Sequence, residues 1–542
     1  MNGRAGPRAA RRTGAPARGA RARRDRRPGP RTAVRHEPLA AAGDRRRAHA
    51  GRLGDGRMTT DRAGKVNEDV SREATFGSLP VLRSERVWNF TDFTWVNIGL
   101  AIATWAFLVG GSTAALVGFQ KGLAAMIIGN AISVAVMLLA SVVSSQRYGV
   151  EQYTILRSVF GVGGVAVLAF TVVLFTEMGW SALLGVMFGR AATQVSNQVL
   201  GTAIGPNALL VTVLALVAIA AAWAILAKGP LTMRFLNRVV APGLAVLTVG
   251  MIVLLVARTS WAELLAAPPL DPFPDESLNF ALAVEFNLGV GLSWWPVMGS
   301  LARLTDRPRS ALWPGYIGLF GATIVAQVVG MAAALTLGDS DPTVWMIPLG
   351  GPWLGVLALV FIAFANLTSL TSIVYSTCLA LRQAGGNLAA RIRWEWLTGA
   401  FFLLSAIVSF WPSLLYDGFL VFVTWSGAFL AAICGTVIAD YFVLRRQRLD
   451  LRGLYEPGPA SPYHFTGGFN LAGLASTALG AVTYVTLYNP QTLATQPAFN
   501  VLTASIPAIV VSGAVHLALS YVLNRSRYAV RPAAVRMTAE ES

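Results

Sequence analysis

The sequence predicts an all-α integral membrane protein of twelve transmembrane helices, and three observations carry that prediction. Of its 542 residues 54% are hydrophobic and 13% are charged, about half the charge of a soluble domain, with a mean hydropathy of +0.55. Apolar stretches long enough to cross a bilayer recur along most of the chain. The loops between them alternate in charge, as the positive-inside rule requires.

The first element is a tail. Residues 1–57 hold 17 Arg, no Lys and 4 acidic residues, with no Phe, Trp, Tyr or Ile. Such a stretch buries too little apolar surface to offset its ordering entropy and is expected to be disordered. Composition turns ordinary at Met58-Thr59-Thr60-Asp61, so Met58 is the expected start of translation and the tail is assigned no function. The rest of the chain carries 27 basic and 23 acidic side chains. The basicity therefore belongs to the tail, and no nucleic-acid partner is expected. Residues 58–90 form a cytoplasmic lead, 91–525 the membrane domain and 526–542 a second cytoplasmic tail.

Spans are expected near 95–119, 122–144, 165–189, 206–227, 239–257, 279–301, 311–337, 352–382, 396–415, 418–443, 469–488 and 500–523. With both termini cytoplasmic, the inner loops receive fifteen Lys and Arg, from Arg147 and Arg157 to Arg448 and Arg452. The outer loops receive only Lys121, Arg190 and Arg258, and collect acids such as Asp271, Asp275, Asp339, Asp341 and Asp417. A miscounted span would invert this bias downstream of the error. Lipid cannot satisfy an open backbone, so each span is a helix.

The residues that interrupt the spans point to function. Span 1 reads Asn97-Ile98-Gly99-Leu100-Ala101-Ile102-Ala103-Thr104-Trp105, then Gly110-Gly111-Ser112-Thr113. Span 6 reads Gly289-Val290-Gly291-Leu292-Ser293-Trp294-Trp295-Pro296. Each opens a five-helix set, and matched interruptions in two halves point to a transporter of inverted repeats, with ligand and ion at the breaks. Glycine and proline in membrane helices also serve close packing. Span 8 carries Ala365-Asn366-Leu367-Thr368-Ser369-Leu370-Thr371-Ser372. Its neutral oxygens suit a monovalent cation that is released each cycle, or bond back to their own helix.

Two acids, Glu177 and Glu285, fall inside spans, where an ionised carboxylate costs at least a few kcal/mol. Each needs a partner or a proton, and Glu177 shares a helical face with Trp180. Trp105, Trp180, Trp294 and Trp295 lie deep on spans 1, 3 and 6, where an aromatic face stacks on a planar ring. Cys378 and Cys434 read as buried thiols. The four histidines are scattered and show no metal spacing. No Walker-type phosphate loop is present. An ion gradient is the remaining driving force; one charge moved through 100 mV is worth about 2.3 kcal/mol, roughly 50-fold accumulation.

Four segments resemble the nucleobase–cation symporter-1 family of purine, cytosine, allantoin, hydantoin and vitamin-precursor permeases. They are Gln146-Arg147-Tyr148-Gly149 through Arg157-Ser158-Val159-Phe160-Gly161; Gly179-Trp180; Ile438-Ala439-Asp440-Tyr441-Phe442 with Arg445-Arg446, Asp450 and Leu454-Tyr455; and Gly467-Gly468-Phe469-Asn470. The likeness covers about residues 76–525. It implies an inverted five-plus-five repeat with two extra C-terminal helices, working by alternating access. It also implies a substrate stacked between Trp180 and Trp294 or Trp295. The implied cation site joins carbonyls of Ile102, Ala103 and Trp105 to Ala365, Thr368 and Ser369. Many members place Gln four residues after the span-3 Trp, where this chain has Leu184. Many place an acid before the Arg that ends span 6, where this chain has Ser300. The span-8 Asn of the family has only Asn366, which lies earlier, as its counterpart.

The expected protein is a monomeric secondary transporter of the plasma membrane, not an enzyme. It imports a small planar nitrogen heterocycle with Na⁺ or H⁺ and uses no cofactor. The expected substrate residues are Trp105, Glu177, Trp180, Gly291, Trp294, Trp295 and Asn366. An uncoupled, channel-like facilitator or a transceptor on the same scaffold is the alternative.

Overall fold

A computed structural model describes residues 79–227, 230–456, 458–525 and 528, with only the backbone for 230–239, 387 and 390. The expectations for residues 1–57 and 529–542 and for most of 58–90 lie outside the described residues. The longer helices are α1 Phe90–Ala101, α2 Thr104–Leu116, α3 Phe119–Tyr148, α4 Gln152–Leu200, α5 Leu209–Leu226, α6 Pro230–Arg258 and α7 Glu276–Leu292. They continue as α8 Trp295–Ala302, α9 Arg309–Leu337, α10 Pro342–Ala384, α11 Trp394–Val408, α12 Phe419–Leu444, α13 Leu471–Leu487 and α14 Ser505–Leu523.

Among the described residues eight helices are long and apolar enough to cross a membrane, or nine if α1 and α2, bent by 51°, count as one span. The other three expected spans fall on shorter helices, each for a local reason. The sixth is divided between α7 and α8 at Ser293–Trp294, just before Pro296. The ninth is α11, which stops ahead of Pro412. The eleventh is the 17-residue α13. The eighth runs from Pro352 as expected; a break at Gly351 (φ 72°, ψ 179°) separates it from a shorter segment that starts at Pro342, where Asp341 caps the helix (Thr343 N to Asp341 Oδ1, 2.8 Å).

Burial orders the bundle. α10 and α12 are mostly enclosed by protein, whereas α5, α6 and α14 turn most of their surface outward. Val246 on α6 and Val522 on α14 are 73% and 76% exposed, an apolar surface suited only to lipid.

α4 packs along α10, and polar clusters join the two at both ends. At the far end of α4, buried Arg190 pairs with Asp341 (3.3 Å) and Asp417 (3.7 Å), donates to Asn207 (2.6 Å) and lies 3.7 Å over the Tyr416 ring. Tyr416 in turn donates to Asp341 (2.7 Å). At the near end Thr154 donates to the Gln383 side chain (3.0 Å) and Arg157 to the Gln383 carbonyl (3.0 Å).

Three of the segments that carry the family resemblance meet at this near end. Gly161 (φ 77°) bends α4 where a Cβ would lie 2.3 Å from the Gly468 carbonyl, so only glycine fits. Gly163 N bonds that carbonyl and Asn470 N bonds Phe160 O. Arg445 pairs with buried Asp440 (2.6 Å) and donates to Ser158 O, while His516 and Tyr528 share the other carboxylate oxygen. Asp440 is thus an ion-pair residue.

Candidate functional site

The first break comes from tertiary contacts. Ile102 (φ −96°, ψ 88°) and Ala103 (φ −141°, ψ 177°) are extended between α1 and α2, although neither is Gly or Pro. A helix interrupted here strands backbone donors and acceptors that must find partners elsewhere. Asn366 on α10 supplies them. Its Oδ1 accepts from Thr104 N (3.3 Å) and its Nδ2 donates to Thr104 Oγ1 (2.8 Å), a helix cap provided by another helix. The Trp105 indole donates back to the Leu100 carbonyl (3.2 Å). Thr368 Oγ1 lies 2.8 Å from Ala365 O and 3.5 Å from Gly99 O, so the α10 hydroxyl turn faces the carbonyls just before the break.

At the second break a glutamine inserts into the helix. Ser293 and Trp294 (ψ −12° for both) separate α7 from α8, and Pro296 has no N–H to contribute. Gln152, at the start of α4, donates to Trp295 O (2.9 Å) and accepts from Gly299 N (2.9 Å). Trp295 and Gly299 are four residues apart, a pair that an unbroken helix would bond directly. Tyr153 OH adds a bond to Pro296 O (3.0 Å). Beyond it Ser300 donates to Glu151 (2.9 Å), which also caps Thr154 N. Burial pushes the Glu151 carboxyl above its ordinary range, while nearby Arg303 and the Ser300 bond pull it back.

A chamber lies between the breaks. Trp105 stands edge-on to Trp294 (centroids 5.7 Å apart) and to Trp180 (6.4 Å). Phe419 and Phe422 brace Trp180 from behind (5.8 and 5.6 Å). Leu184, Val290, Val297 and Ile373 complete the apolar wall, with Ser293 and Ser369 the two hydroxyls in it. About 330 Å³ of empty space lies among these side chains, part of it open to the outside, with room for about one water. Two buried polar atoms of this wall have no partner, Trp180 Nε1 and Ser369 Oγ.

The chamber thus brings together Trp105, Trp180, Trp294 and Ser369 of the expected site residues. Others are placed elsewhere. Trp295, one step around the helix from Trp294, packs on Tyr153 (6.2 Å). Asn366 is turned to Thr104 with both of its polar atoms. Gly291 is a packing glycine, its missing Cβ lying 2.0 Å from Ser133 Oγ. Ile102, Ala103, Ala365 and Thr368 flank the first break without lining the chamber. Glu177, three residues before Trp180 on α4, is buried outside the lining, with one oxygen 3.4 Å from Thr176 Oγ1 and the other unpartnered. Glu285 is of a different kind, since its carboxylate accepts from Ala504 N (2.8 Å), Ser505 N (3.0 Å) and Ser505 Oγ (2.6 Å) and so caps α14. The sequence reading missed Val290, Ser293, Val297, Ile373 and the Gln152–Tyr153 clasp. Val290 sits four residues before Trp294, a helical spacing that could have flagged it. Among the described residues no group of three or more His, Cys, Asp or Glu could hold a metal, and Cys378 and Cys434 are buried and unpaired.

Residues 80–509 match the family described as permease for cytosine/purines, uracil, thiamine, allantoin. The cytosine permease of Escherichia coli K12 is 22% identical over 383 residues, 70% of this chain and 83% of that protein. The purine-uracil permease NCS1 of Arabidopsis thaliana is 29% identical over 178 residues, 32% of this chain and 29% of that protein. The solved structure of Mhp1, a nucleobase-cation-symport-1 family transporter in a closed conformation with bromovinylhydantoin bound, is 18% identical. It has a TM-score of 0.66 and covers 83% of this chain and 98% of its own.

Proposed function

Since the chain belongs to the permease family for cytosine and purines, uracil, thiamine and allantoin, and is thus a multi-pass membrane transporter, we propose that it imports a small planar nitrogen heterocycle by alternating access, coupled to Na⁺ or H⁺. The observation that carries this reading is the chamber of three indoles set between two interrupted crossings. Broken helices with a ligand site between them are the arrangement of transporters built on inverted repeats. Trp105, Trp180 and Trp294 hold the ring, and Ser369 meets one of its polar edges. The coupling ion sits where the Thr368 hydroxyl faces the carbonyls ahead of Ile102 and Ala103, with the unpartnered Ser369 hydroxyl one residue on. Glu177, buried and without a cationic partner, is the side chain suited to hold a proton. The protein works as a monomer in the plasma membrane with both termini cytoplasmic, and the Gln152–Tyr153 clasp on α8 closes the inner side.

The test is uptake of labelled heterocycles by cells expressing the chain. Accumulation above the outside concentration, lost on adding an ionophore, is the expected result; equilibration without accumulation would favour the facilitator. Thr368→Ala combined with Ser369→Ala is expected to raise the ion concentration for half-maximal uptake about tenfold, a shift of about 1.4 kcal/mol. An unchanged ion requirement in that double variant would remove α10 from the ion site.

A further inference from the structure

The geometry points to a lipid-binding site, a groove between α6 and α9 on the membrane face of the bundle that holds one acyl chain of a phospholipid. A cavity of about 200 Å³ lies there. Its floor is buried and apolar, made by Phe119 at the start of α3, Leu255 on α6, Val329 and Ala332 on α9, and Leu264 on the short helix Trp261–Ala266. Its rim is exposed, Val256 by 50%, Val325 by 41% and Trp261 by 59%. Trp261 stands edge-on to Phe119 (6.3 Å), which folds the short helix against the groove. The two walls are committed elsewhere. α9 meets α2 backbone to backbone, since a Cβ on Gly330 would lie 2.1 Å from Phe107 O and one on Gly110 2.0 Å from Gln327 O. α6 packs mainly along α10 and α1.

The lining and its surroundings identify the occupant. Thr259 is the one hydroxyl in the lining. A buried water needs several polar partners, so an apolar cavity of this size stays dry and takes apolar guests. The rim continues the lipid-facing surface of α6, where Val253 is 60% exposed, so the hydrocarbon of the bilayer is what reaches it. From Ile252 to Thr259 the groove runs about 10 Å along the helix axis. That carries it from the end of α6 into a leaflet whose hydrocarbon is about 15 Å deep. Such a volume over that length admits one extended chain and not a helix about 10 Å across, so a crossing of a second copy does not enter. At the mouth Arg258 gives one nitrogen to Pro348 O (2.9 Å) and is otherwise exposed. The neighbouring acid, Glu263, is engaged in capping Ser260 N (3.3 Å). A guanidinium above an apolar groove matches a phosphate above an acyl chain. On the topology proposed above, the leaflet is the outer one.

The experiment holds the full-length protein in nanodiscs of phosphatidylcholine, a fraction of which carries a photoactivatable diazirine on one acyl chain. After illumination, labelled peptides are identified by mass spectrometry. Labelling of the groove residues on α6 and α9 is expected to exceed that at the open lipid-facing positions Val246 and Val522 about fivefold, a preference of about 1 kcal/mol. Val329→Phe, which fills the floor, should bring the groove down to the level of those open positions with its unfolding temperature unchanged. Ala332→Leu is the milder filling, to be read the same way should the first variant fail to fold. Equal labelling of groove and open face overturns the site, as does groove labelling that survives the filling. Groove positions labelled in discs that hold one copy but shielded in discs that hold two would assign the face to a second copy and overturn it as well.

Discussion

Trp180→Ala is expected to weaken heterocycle binding at least 100-fold and to abolish uptake. The indole is almost fully buried, faces Trp105 across the chamber and is braced by Phe419 and Phe422. Truncation removes three contributions at once. The ring face supplies about 0.5–1.5 kcal/mol of aromatic contact beyond area burial. The unpartnered Nε1–H supplies about 1 kcal/mol as a donor to a ligand carbonyl, and apolar area lost from contact adds to both. Together these approach 3 kcal/mol, roughly two factors of ten. Because Trp→Ala in a core also costs about 3–5 kcal/mol of stability, Trp180→Phe is the companion variant. It keeps a ring and loses the donor, and about a tenfold loss is expected. Titration of tryptophan quenching, with Trp105 and Trp294 still reporting, measures both. Undiminished affinity in Trp180→Ala would take Trp180 out of the site.

Glu285→Ala is expected to lower stability by about 3 kcal/mol or more. Three donors converge on that carboxylate at the start of α14, two of them backbone N–H groups. A buried donor left bare costs about 1–3 kcal/mol, and in a bilayer no water replaces the lost partner. Glu285→Gln retains one carbonyl oxygen and should cost about half as much. Glu177→Gln is the contrast: its carboxylate holds no such set of bonds, so the unfolding temperature in detergent should barely move. A Glu285→Ala protein that melts with the unaltered one would show that the cap contributes nothing.

These two acids show where the sequence was legible and where it was not. Both were visible as costly groups inside apolar spans, but only coordinates separate a helix cap from an unpartnered carboxylate. The spans themselves were readable because hydropathy and loop charge are local properties of the chain. The second break was readable too, in Ser293-Trp294-Trp295-Pro296. The first was readable only as a region. Residue patterning alone marked Asn97 to Thr113, and only the family resemblance singled out Ile102, Ala103 and Trp105; Gly110 and Gly111 within that stretch are packing glycines, their missing Cβ atoms lying 2.0 Å from Gln327 O and 2.3 Å from Ser340 O. The chain opens at Ile102–Ala103, because Asn366, 262 residues away from Thr104, caps the new helix start. No local pattern encodes a partner that distant. Trp294 and Trp295 could not be separated for a related reason. Adjacent positions point about 100° apart on a helix, and which of the two faces the chamber depends on where Tyr153 packs.

The stitching of α4 to α10 at both ends has a consequence for how the chamber exchanges its contents. Arg190 with Asp341 and Tyr416 fastens one end, and Gln383 with Thr154 and Arg157 the other. In the transport cycle proposed above, Trp180 and Ser369, which belong to this joined pair, would form a fixed shelf for the cargo, and Trp105 and Trp294, which belong to the two broken crossings, hinged doors that swing past it. Spin labels on α4 and α10 should hold a constant separation, whereas a label on α2 or α8 should move against either.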